Sequence, residues 1–110
     1  MVSRKNPTIP RRQVARTMVI QPAFNASLEF LVEYSIGVFG KLVTDKLVAD
    51  IMRALTRISM MPDAAPIDSW KTPERGRVYR IAIVRSYKIS YYVTSKKIVI
   101  VDIFHESQHK

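Results

Sequence analysis

The residues of this chain with the means to do chemistry lie in its last third. Two tyrosine–cation steps, Tyr79-Arg80 and Tyr87-Lys88, and a histidine, His105, interrupt runs of β-branched and aromatic residues. Arg80 stands inside the apolar run Val78 to Val84, where a charge is tolerated when it is paired, when it sits on a working surface, or both. The rest of the chain favours an anionic counterpart. Its 110 residues carry 18 Lys and Arg against 9 Asp and Glu, a formal net charge of +9. A nucleic acid, a ribosome or an acidic protein would answer that charge.

Composition removes several other classes of function. Without cysteine there is no disulfide framework and no thiolate metal site, and His105 and His109 are too few for a zinc site without several carboxylates. No metal and no cofactor are expected. The sequence has no run of the roughly 20 apolar residues that a membrane-spanning helix needs, so a cytoplasmic protein without a membrane partner is the simplest expectation. Arg4, Lys5, Arg11, Arg12 and Arg16, with no acid among them, hold about half of the excess charge. Pro7 and Pro10 deny that segment a regular helix, so residues 1–14 read as a basic flexible arm and residues 15–110 as one domain.

The elements that must position the reactive residues follow from periodicity. Ala15 to Gln21 reads as a first strand stopped by Pro22. Phe24, Leu28, Leu31, Val32 and Ile36 then recur at helical spacing, and Gly37 and Gly40 punctuate the end of that helix. Val43, Leu47, Ile51, Leu55 and Ile58 mark a second apolar stripe from Leu42 to about Met60, stopped by Pro62. Met61 to Gly76 is a proline-bearing loop, pinned to the helices by Trp70. Three strands follow, Arg77 to Val84, Tyr87 to Val93 and Lys97 to His105. The fold class is therefore α+β: an N-terminal strand, a helical hairpin, then a three-stranded antiparallel meander, with the helices on one sheet face and the other face open.

Which residues line the open face depends on hairpin register. A three-residue connection, Val84-Arg85-Ser86, pairs Ile81 with Ile89 and Tyr79 with Tyr91 towards the helices, and leaves Arg80, Lys88, Ser90 and Tyr92 outside. A one-residue slip sets Arg80 beside Tyr91; it is expected to bury Lys88 and expose Ile81, which disfavours it.

With this order of elements, the stretches Arg77-Val78-Tyr79-Arg80, Tyr87-Lys88-Ile89-Ser90-Tyr91 and Ile100 to Gln108 resemble the RelE/ParE superfamily of toxins from type II toxin–antitoxin modules, often called plasmid stabilisation proteins. The resemblance runs from about Ala15 to Gln108. Lys88 departs from the arginine more usual after that tyrosine and lacks its bidentate fork. The N-terminal arm has no counterpart.

The resemblance implies a growth-arresting toxin neutralised by a cognate acidic antitoxin, with one of two targets. In RelE-like members the open sheet face cuts messenger RNA on the ribosome without a metal, by attack of the ribose 2′-hydroxyl on the adjacent phosphate. Carried over by position, Arg80 would stabilise the phosphorane and His105 would act as acid or base, while Arg77, Arg85, Lys88 and Tyr92 would bind RNA or another target. In ParE-like members the same scaffold poisons DNA gyrase and hydrolyses nothing, and the His-x-x-Gln ending suits that branch equally. Enzymatic activity as an mRNA endoribonuclease is thus one of two expectations.

Each residue also has a plainer reading. Arg80 pairs with Asp102 across the sheet, His105 caps a strand, and Tyr79, Tyr87 and Tyr91 fill the core. A basic nucleic-acid-binding protein with no toxicity would explain the charge, but not the tyrosine–cation steps or the histidine at the end of the last strand.

Overall fold

A computed structural model describes residues 16–71 and 77–108. Its elements are β1 (Thr17–Ile20), α1 (Pro22–Phe39), α2 (Lys41–Met60), β2 (Tyr79–Val84), β3 (Tyr87–Val93) and β4 (Lys97–His105). The sheet order is β1-β4-β3-β2, with β1 parallel to β4 and the other neighbours antiparallel. The expected strand, helical hairpin and meander are all present, so the α+β fold class stands. The basic arm and the end of the long loop lie outside the described residues.

Local chemistry fixes the element boundaries. Pro22 ends β1 and occupies the first turn of α1, where its missing N–H costs nothing. The helix passes through Gly37, three residues beyond the end expected from Ile36, because only Gly40 adopts a positive φ, 88°. Its N–H bonds the Ile36 carbonyl, and α2 starts at the next residue. The crotch of this tight hairpin is held by buried hydroxyls. Thr44 Oγ1 donates to the Gly40 carbonyl at 2.9 Å, which leaves Ser35 Oγ as the donor across the 2.6 Å contact between the two side chains.

The buried stripe of α2 is Thr44, Leu47, Ile51, Ala54 and Ile58, rotated from the expected one. Val43 is exposed and Leu55 only partly buried. A strict spacing of four drifts around a helix of 3.6 residues per turn, whereas alternating steps of three and four stay on one face. This stripe and Phe24 and Leu31 of α1 close over Ile89, Tyr91, Ile98, Ile100 and Ile103 of the sheet. A β-bulge puts Ser90 opposite Asp102 but Tyr91 opposite Ile100, leaving Val101 unpaired. Ile100 and Ile103 therefore both reach the core although three residues apart.

The β2–β3 register is the slipped one, which corrects the expected pairing. Val84 pairs with Tyr87, Ile81 with Ser90, Arg80 with Tyr91 and Tyr79 with Tyr92, across a two-residue turn, Arg85-Ser86. Arg85 closes it in the left-handed region, φ 54°. Hydrophobic burial does not enforce the other register because β2, not β3, is the strand turned over. Ile89 and Tyr91 keep their places in the core, Lys88 stays on the far side, and Ile83 is left 55% exposed. The free edge of β2 is covered by the loop: Ile67 bridges Arg80, the Asp68 N–H bonds the Tyr79 carbonyl, and the Ile81 N–H bonds that of Pro66. The side of the sheet away from the helices is also less open than expected, with Tyr79, Ser90, Val99 and Phe104 buried.

Candidate functional site

The six residues singled out in the sequence separate into four places. Arg80 lies on the helix-facing side of β2 with its side chain 20% exposed. Its Nη1 donates to the carbonyls of Ala65 at 2.7 Å and Asp63 at 3.1 Å, and its Nη2 lies 3.8 Å from the Asp63 carboxylate. It faces the wrong way for an open-face phosphate site, because the slipped register turns it towards the helices and the loop carbonyls satisfy it there. It does not pair with Asp102 either, which accepts the Ser27 hydroxyl of α1 at 2.7 Å and its neighbour's N–H. Beside Arg80, Tyr91 donates its hydroxyl to the Pro62 carbonyl at 2.6 Å. Burial raises that phenol above its ordinary value of 10.0, against the opposing pull of Arg80.

His105 ends β4 at the other end of the sheet. Its cross-strand neighbour is Tyr87, whose ring it meets edge-on with centroids 5.5 Å apart. Nδ1 accepts the Ser107 N–H at 3.1 Å and lies 2.8 Å from the Ser107 hydroxyl, and the His105 N–H donates to Gln108 Oε1. In this arrangement Nδ1 serves as the ring's acceptor. Among the described residues no cation or carboxylate bonds the ring. Arg80 pairs with Tyr91 and His105 with Tyr87, four residues along β3, which places the two about 13 Å apart along the strands and on strands separated by β3. The expected pairing of these two residues in one catalytic site is not built.

Arg85, in the β2–β3 turn, is pinned to α2 by Nε and the Asp50 carboxylate at 2.7 Å. Asp50 also bonds Arg53, and these bonds, Arg53 first and then Arg85, hold its carboxyl below the ordinary value of 3.8.

Arg77, Lys88 and Tyr92 belong to the side away from the helices. The Arg77 guanidinium lies over the Tyr92 ring, 4.3 Å from its centroid, and Tyr92 meets Tyr79 edge-on at 5.3 Å. Lys71, which the sequence did not single out, sets its ammonium 5.1 Å from the Tyr79 ring. The stacked order Arg77, Tyr92, Tyr79, Lys71 is a cation–aromatic cluster, with both cations unbridged by carboxylates among the described residues. Lys88 lies four residues along β3 on the same side, a strand length of about 13 Å.

On the helix side a groove of about 510 Å³ runs between α1 and the end of β4, lined by Phe30, Leu31, Tyr34, Tyr87 and His105 among others. A second hollow of about 390 Å³ shares Tyr34, Tyr87 and His105 and continues towards Phe39 and Arg85. Phe30 and Tyr34, 73% and 57% exposed, form an i, i+4 pair off the buried stripe of α1, and that spacing was the one sequence signal for this groove. Trp70 departs most from expectation: it is 90% exposed and does not pin the loop.

Chemically, these arrangements can bind anions and apolar surfaces. Among the described residues no cluster of three His, Cys, Asp or Glu could hold a metal ion, and no helix is long and apolar enough to cross a membrane.

The fold is similar to that of a solved structure titled chromosomal ParDE TA system from P. aeruginosa, with a TM-score of 0.69 at 15% identity, covering 83% of this chain and 96% of that one. No curated protein matches. The family model described as ParE toxin of type II toxin-antitoxin system, parDE, matches residues 18–109, from the first strand to the turn after His105, and on that extent the chain belongs to the ParE toxin family.

Proposed function

We propose that this protein arrests growth by poisoning DNA gyrase, without cutting RNA, and that a cognate acidic antitoxin restrains it. One observation carries the choice between the two targets. Arg80 is bound to loop carbonyls at one end of the sheet while His105, tied to Ser107, stands at the other. RNA cleavage through a 2′-hydroxyl needs a base, an acid and charge stabilisation converging on one phosphate. Poisoning a DNA-bound enzyme needs only a surface that binds.

The side carrying Arg77, Lys88 and Tyr92 is the surface we assign to target contact, since its cations have no ion pair among the described residues and the net charge favours a DNA-bearing partner. This reading puts the protein in the bacterial cytoplasm. Induction of the full chain from a tight promoter, followed by parallel measurement of plasmid supercoiling, gyrase-linked DNA breaks and message integrity, tests it. DNA breaks with intact messages are expected. Messages cut while supercoiling is normal would reverse the assignment in favour of RNA cleavage.

A further inference from the structure

We propose that Trp70 is the anchor of the antitoxin interface, inserted into an apolar pocket of an acidic polypeptide that also meets Lys71. The inference rests on the reading of this chain as an antitoxin-restrained toxin. Trp70 is the one tryptophan of the chain and is 90% exposed, an expensive placement for the largest apolar side chain unless a partner covers it. The exposure is built in. Asp68 Oδ1 accepts the N–H groups of Trp70 at 3.0 Å and Lys71 at 3.3 Å, while the Asp68 N–H bonds the Tyr79 carbonyl at 2.7 Å. A short turn clamped to the edge strand therefore fixes the backbone from which the indole projects, so that little backbone entropy remains to be lost on binding.

The surroundings indicate the chemistry of the occupant. Ile67 and Val78, 54% and 50% exposed, lie along the same sheet edge, on the side that carries Arg80, because the bridge from Ile67 to Arg80 brings residue 78 opposite residue 69, whereas Tyr79 and Lys71 belong to the other side. Lys71 adds a cation with no carboxylate partner among the described residues, steadied over Tyr79. An exposed tryptophan at a sheet edge, with exposed aliphatic side chains on one side of the edge and cations on the other, has the composition of a protein-binding hot spot that a polypeptide wrapping the edge would meet. A nucleic-acid duplex would gain from the lysine but nothing from Ile67 or Val78. From this anchor an antitoxin segment would reach the adjoining Arg77–Tyr92 pair, and so cover the surface assigned to the target.

The test uses the full-length chain, made by cell-free translation, and the acidic polypeptide encoded by the adjacent open reading frame. Because one indole reports, its emission should shift to the blue on binding. Trp70→Ala should weaken binding by at least about 30-fold. Trp70→Phe should recover part of that loss, and Leu42→Ala, at the exposed tip of the helical hairpin, should change nothing. In cells, Trp70→Ala should still arrest growth alone but no longer be rescued by co-expression. An unshifted emission, undiminished binding by Trp70→Ala, or a response to duplex DNA in place of the polypeptide would each overturn the proposal. Growth arrest by the wild-type chain alone checks the toxin reading separately.

Discussion

Arg80 and Tyr91 face each other across adjacent strands and grip the same stretch of loop, the guanidinium through the carbonyls of Asp63 and Ala65 and the phenol through that of Pro62. The tyrosine–arginine step that looks like a catalytic signature in the sequence is, in the folded chain, a clamp on the segment after α2. Removing either partner leaves loop carbonyls with unmet bonds.

Arg80→Ala should therefore destabilise the domain by about 2 to 3 kcal/mol, the range for losing a charged donor to partly buried acceptors, and Tyr91→Phe by about 1 kcal/mol. Urea unfolding of both variants and their double mutant measures this. A stability unchanged by Arg80→Ala would show that the loop is not held as described.

The slipped register makes opposite claims about neighbouring residues. Ile83 is 55% exposed and Val84 5%, so Ile83→Ala should shift stability by less than about 0.5 kcal/mol while Val84→Ala costs about 2 kcal/mol. The register expected from hydrophobic burial predicts the reverse order. Equilibrium unfolding of the two variants decides between them.

Two glycines three residues apart should respond with opposite sign to the same substitution. Gly37 lies within α1 with open space at its missing Cβ, so Gly37→Ala should stabilise by about 0.5 to 1 kcal/mol. Gly40 has equal space but φ 88° and ψ 171°, a region nearly closed to other residues, so Gly40→Ala should destabilise by about 1 to 3 kcal/mol. Thermal melts of both variants are the measurement.

Acid should release the β2–β3 turn from α2. The Asp50 carboxyl is held below 3.8 by Arg53 and Arg85, so its folded form binds a proton less readily than its unfolded form. A depressed carboxyl contributes stability that is complete above the unfolded value and lost as pH falls through the folded one. The wild type should thus exceed Asp50→Asn in melting temperature at pH 6, with the gap closing only below about pH 3.8. A gap that persists unchanged at pH 2 would mean that the carboxylate charge is not what stabilises the turn.

What the sequence determined by itself was the set of elements and the family pattern. Pro22, Gly40 and Pro62 punctuate two amphipathic helices, and three β-branched runs separated by short polar turns can form little else but a meander. These signals are local, each set by the backbone preferences of a few adjacent residues. Facing was a different matter. Whether Arg80 points to the helices or away is fixed by one residue of register, and that choice turned on a positive φ at Arg85 and on carbonyls of a loop fifteen and seventeen residues earlier in the chain. Periodicity cannot weigh such a contact, because turning a cation towards the core is costly until the acceptors that satisfy it are in place. The distance between Arg80 and His105, the outward Trp70 and the cluster of Arg77, Tyr92, Tyr79 and Lys71 were likewise decided only when the strands paired and the loop closed the sheet edge.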